Sequence, residues 1–146
     1  MEIIISDEVV DIFPVMPERI RIFAEKVIKS SGISNFDINI IFINNDKMTE
    51  LNEQYKKRIG TTDVLSFNLS DATSDTLEGE VYISLERALA QSSEYGVSGE
   101  EEIIRLVTHG LLHLSGRTHN SDEDFESMTV DTEMYVRNYF DKGEVI

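Results

Sequence analysis

A chain of 146 residues that is 40% hydrophobic can bury one core but not two independent ones, so we expect a single domain over residues 1–146. There is no cysteine, which excludes a disulfide framework and a thiolate metal site and leaves histidine to supply any nitrogen ligands. The formal net charge of -15 opposes a general nucleic-acid-binding surface, while screening within about 10 Å still permits a local cationic cleft.

Met1–Ile5 lacks the basic flank and cleavage site of a signal peptide, and no apolar run is long enough to span a membrane. A cytoplasmic location with no membrane partner is expected. Glu2–Ser6 reads as a short β-branched strand. Pro17 can then open a helix with Ile20, Phe23, Ala24, Val27 and Ile28 on its apolar face and Gly32 placed to end it. Phe36–Ile43 alternates and reads as a second strand, completing a β-α-β unit with parallel strands.

Asn45 and Asp46 precede a short helix carrying Met48, Leu51 and Tyr55, and Val64–Leu69 alternates as a third strand. Ser70–Glu78, rich in Ser, Thr and Asp without period, reads as a mobile loop, and Val81–Ser84 as a fourth strand opened by Gly79. Three helices follow: Glu86–Tyr95, Gly99–Leu114 with a capping box at Ser98 and Glu101, and 122–140 capped by Ser121 and Asp124. Strands first and helices last give an α+β or mixed α/β class with a small sheet.

All three histidines fall within residues 109–119. His109 and His113, four apart on a helix, project from one face one turn apart, and Gly116 can reverse the chain so that His119 returns to the same ion. Three neutral nitrogens suit one zinc ion with an open position for water activation. The alternative of a histidine pair on a helix rim with an unrelated surface histidine fits this spacing less well. His-x3-His-x2-Gly-x2-His is the metzincin protease spacing, but the position of the protease glutamate is Gly110, which cannot act as a base.

Lys56-Lys57-Arg58 is the densest cationic stretch of the chain. It reads equally as a phosphate clamp, with Lys56 and Arg58 as candidate catalytic contacts, or as a solvated helix end complementing the dipole. Asp63, after Thr61 and Thr62, is a candidate partner to a ligating histidine or a strand-start cap. Phe67 and Tyr82 can stack bases but, lying in strands, read first as core.

The runs Thr62-Asp63-Val64-Leu65-Ser66-Phe67, Gly79-Glu80-Val81-Tyr82-Ile83-Ser84 and His109-Gly110-Leu111-Leu112-His113-Leu114-Ser115-Gly116, then His119, resemble the YbeY family of bacterial endoribonucleases across roughly residues 36 to 119. That resemblance implies a zinc-dependent, single-strand-specific ribonuclease acting in ribosomal RNA maturation, at the 3′ end of small-subunit rRNA, and in ribosome quality control. It implies single-stranded RNA and ribosomal particles or assembly factors as partners. It further implies an α+β fold with a four-stranded mixed sheet, one strand antiparallel, about five packed helices and a metzincin-like histidine helix.

Three positions depart from the family pattern. Thr118 replaces an aspartate, Arg117 a tyrosine and Lys56 an arginine, so a carboxylate is lost beside the last histidine while Arg117 adds a cation there. Two rival functions remain open on sequence. A zinc metallopeptidase-like hydrolase would need another base, and a non-catalytic zinc-containing ribosome-assembly factor would need a fourth ligand for a structural zinc.

Overall fold

In the computed structural model, which describes residues 1–57, 60–117 and 121–141, the alternation at Phe36–Ile43 forms strand β2. It stands with β1 (Glu2–Ile5), β3 (Val64–Asn68) and β4 (Leu77–Ser84) in one sheet of order β1-β2-β4-β3. β1, β2 and β4 are parallel, and β3 is the antiparallel strand at the edge. The α+β class and the four-stranded mixed sheet are those expected.

Helices α1 (Pro17–Ser30), α2 (Asn45–Tyr55), α3 (Leu85–Tyr95), α4 (Gly99–Leu114) and α5 (Asp122–Asp141) pack around this sheet. Period decides which face each strand residue serves. Ile38, Ile40, Phe42, Val81 and Ile83 point into the larger core with α1 and α4, while Ile41, Ile43, Leu65, Phe67 and Tyr82 point to a smaller one under α2. The α1 stripe read from sequence, Ile20, Phe23, Ala24, Val27 and Ile28, is buried throughout. Each large member contributes on the order of 1.5–3 kcal/mol by leaving water.

α4 is apolar on most of its circumference because sheet, α1, α3 and α5 all lie against it. Its ten buried positions include Glu102 and Thr108. Glu102 accepts from Gln91 Nε2 at 2.8 Å and from Arg105, and Thr108 Oγ1 donates to the Ile104 carbonyl at 2.8 Å.

β4 begins at Leu77 rather than at Val81, so Gly79 lies inside the strand and does not open it. The reason is packing: a Cβ at Gly79 would stand 2.6 Å from Leu114 Cδ1 and 2.9 Å from the Phe67 carbonyl oxygen, so glycine lets the end of α4 settle on β4. Residues 69–76 form the β3–β4 connection, tied by Glu78 N–H donating to Ser70 Oγ at 2.8 Å and Thr73 N–H to Asp71 Oδ1 at 3.1 Å. Asn44 caps α2, one residue before the expected pair, with its side chain accepting from Lys47 N–H at 2.8 Å. Of the Ser98–Glu101 box only half is made. Ser98 Oγ accepts from Glu101 N–H at 3.0 Å, while the Glu101 carboxylate turns to Arg105.

Candidate metal centre and cleft

The site is assembled where α4 runs beneath the antiparallel edge strand. At Gly110 the helix meets the sheet so closely that a Cβ would lie 2.5 Å from Val81 Cγ1, 3.2 Å from Val64 Cγ2 and 3.3 Å from Ser66 Oγ. Ser66 Oγ donates to the Gly110 carbonyl at 2.8 Å, fixing β3 to the turn between the two histidines. Their i, i+4 spacing brings the His109 and His113 rings to 4.7 Å between centroids at 70°, both half-buried.

Both imidazoles line a cleft of about 370 Å³ that also takes in Lys56, Asp63, Ser66 and Asn68. Two of the predicted catalytic residues, Lys56 and Asp63, therefore share a wall with the two helical histidines. Asp63 is anchored by its main chain, whose carbonyl accepts from Ser84 N–H at 2.9 Å. Arg58 and His119 lie outside the described residues, as does Thr118. Among the described residues no three potential ligands gather at one point. Two nitrogen donors side by side on a polar-walled cleft nevertheless have the chemistry that zinc prefers, so the residues present fit a zinc ion.

The chain leaves α4 as its spacing predicts. Gly116 adopts φ 103°, its N–H donates to the His113 carbonyl at 3.0 Å, and Arg117 N–H donates to the Leu112 carbonyl at 3.0 Å. This paired bonding satisfies the last carbonyls and turns the backbone away from the helix axis. The Arg117 guanidinium does not stand as an uncommitted cation beside the histidines. It pairs with Asp131 Oδ2 at 2.9 Å and Ser127 Oγ at 3.0 Å on α5.

Sequence reasoning gave Ser66 and Asn68 no place in the cleft, which both of them line. The signal was the period-two alternation of β3, which puts 64, 66 and 68 on the α4 side once the opposite face is known to be core. Asn52 was passed over too. Buried on α2, it donates from Nδ2 to the Gly60 carbonyl at 3.0 Å and so ties Gly60 to the helix. Nothing in one sequence marks a buried asparagine as a loop anchor.

A small mixed sheet with a central helix presenting two imidazoles beneath its antiparallel edge defines an α+β protein with a histidine-lined cleft. The chain belongs to the endoribonuclease YbeY family: the family model described as Endoribonuclease YbeY matches residues 6–139. Endoribonuclease YbeY of Symbiobacterium thermophilum is 35% identical, with 91% of this chain and 94% of that relative covered. That of Treponema denticola is 32% identical over 84% of this chain and 83% of its own. The solution structure of TM1509 from Thermotoga maritima matches with a TM-score of 0.66 at 27% identity, covering 99% of this chain and 89% of that one. Among the described residues no helix is long and apolar enough to cross a membrane.

Proposed function

We propose that this member of an endoribonuclease family cleaves single-stranded RNA at one zinc ion held by His109, His113 and His119. Its place of action would be the cytoplasm, on ribosomal particles, with the 3′ end of small-subunit rRNA as target in maturation and quality control. The observation that carries the reading is the adjacency of the His109 and His113 rings in a cleft shared with Lys56 and Asp63. Family membership and the names of the relatives support RNA as the substrate, and the resemblance of the histidine segment supports zinc and the ribosomal target.

When bound, zinc supplies Lewis acidity, making a water nucleophile available near neutral pH and drawing charge from a phosphoryl oxygen. The chain's own groups do the rest. His109 and His113 offer nitrogen donors from a helix face held rigid by the core. The Lys56 ammonium offers a point charge to a phosphate but not the planar two-point contact of an arginine. Asp63 is the one carboxylate lining the cleft among the described residues, and in this reading it accepts the proton lost on attack or orients an imidazole. The peptidase alternative is disfavoured at Gly110, where any side chain collides with Val81 before a base could be presented.

The test is cleavage of single-stranded and duplex RNA by metal-quantified protein beside His113→Ala and a chelator-treated sample. Cleavage of single strands that follows zinc content and is lost in His113→Ala is expected. Undiminished cleavage by fully zinc-free protein would overturn the metal assignment. Digestion of protein with RNA left intact would overturn the substrate. Accumulation of 3′-extended small-subunit rRNA in cells depleted of the protein is the expected mark of the ribosomal target.

A further inference from the structure

The cleft does not stop at the α4 side of β3. Asp63 and Leu69 bond to β4 through Ser84 N–H at 2.9 Å and the Glu78 carbonyl at 2.8 Å. By the alternation of an antiparallel ladder, the main-chain groups of Val64, Ser66 and Asn68 face away from β4 towards the outer side of β3, which no strand pairs among the described residues. The cleft wraps this edge, taking in Ser66 from one face and Leu65 from the other. Next along that other face is Phe67, only partly buried. Its ring meets Tyr55 edge-on at 5.9 Å and Tyr82 at 5.8 Å. Tyr55 is 58% exposed, and Leu69 beyond it 57%.

Lys56 joins the two surfaces. Its Nζ lies 4.9 Å from the Phe67 ring centroid, and the same residue lines the histidine cleft. Tyr82 backs the cluster, its hydroxyl donating to Glu80 Oε1 at 3.0 Å.

We propose that Tyr55, propped edge-on by Phe67, forms a stacking shelf for an unpaired base of the RNA strand whose backbone passes Lys56 into the cleft. The inference rests on the nuclease reading and adds the groups that select single strands. Bases in a duplex already stack on one another and cannot reach a side-chain ring, whereas an unpaired base can. An aromatic surface continuous with a cationic cleft mouth suits a polyanion carrying flat apolar rings better than it suits a peptide.

The experiment measures binding of a fluorescent 2′-O-methyl oligoribonucleotide to the zinc-loaded protein, with single abasic sites moved along the strand and strand integrity checked on a gel. The wild type should lose roughly tenfold in affinity when one particular base is removed, within the range of a single base–aromatic stack. In Tyr55→Leu and Phe67→Leu the ratio of intact to abasic affinity should fall towards one, while Lys56→Ala should weaken both strands alike. A leucine keeps most of the apolar packing, and the exposure of Tyr55 makes its replacement tolerable to the fold, which thermal melting verifies. An unchanged ratio in Tyr55→Leu would overturn the shelf and leave the ring cluster to core packing or a protein contact. Cleavage by the wild type is scored separately, so a protein that binds with base dependence but does not cleave would sink the nuclease reading and keep the shelf.

Discussion

A methyl group at position 110 would sit 2.5 Å from Val81 Cγ1, a β-branched side chain at the centre of the sheet with no room to retreat. Gly110→Ala should therefore lower stability by about 1–3 kcal/mol, the usual cost of overpacking, and the thermal midpoint should drop with it. Because the clash lies between the two histidines, metal affinity should fall together with stability. Equilibrium dialysis of the folded variant checks that. Ser66→Ala removes only the hydroxyl that donates to the Gly110 carbonyl, at a cost of about 1 kcal/mol, and should spare the metal. At this scale the sequence was partly readable: the spacing put His109 and His113 on one helix face with Gly116 turning the chain beyond it, while Asp63 stayed open between a histidine partner and a strand-start cap. It was silent on Ser66, whose role depends on which helix lies across its strand.

Between elements, Arg105 binds three carboxylates from two helices: Glu101 at 2.9 Å, Glu102 at 2.9 Å and Glu133 at 2.7 Å. Glu102 is buried, so Arg105→Ala strands its carboxylate with Gln91 alone and should cost about 3 kcal/mol, the order seen when one partner of a buried pair is removed. Chemical denaturation measures it. Glu133 is partly exposed, and the hydrogen bonds from Arg105 hold its carboxyl below the ordinary value of 4.5. A carboxyl depressed in the folded state stabilises above that ordinary value, and the gain disappears as pH falls through the lowered one. Glu133→Gln should thus flatten the acid side of the stability–pH curve and change stability near neutrality by about 1 kcal/mol or less. Element boundaries were less legible than residues. A glycine in Leu77–Ser84 signals an end on local grounds, and only Leu114 pressing on Gly79 explains its place within the strand.

Over the whole molecule the charge of -15 means that RNA is drawn by a small cationic region and repelled elsewhere. The dependence of single-strand affinity on salt should be shallow. Lys56→Ala should reduce its slope by about 0.7, the value for one lost phosphate contact. Zinc bound only by the folded chain should raise the thermal midpoint, and chelation should lower it in the wild type while leaving His113→Ala unmoved. The order of the sheet could not be read from periodicity. Strand pattern gives faces and not neighbours, and β4 inserts between β2 and β3 against the order of the chain.

Among the described residues β3 has one side unpaired at the boundary of the sheet. Such a border is a template on which a strand from another copy can lay itself down, the starting point of aggregation. With no strand pairing it among the described residues, this border needs protection by something other than a sheet partner. The surplus of acid side chains supplies it by making every encounter between two copies repulsive. High salt or neutralised carboxylates should therefore provoke self-association before unfolding.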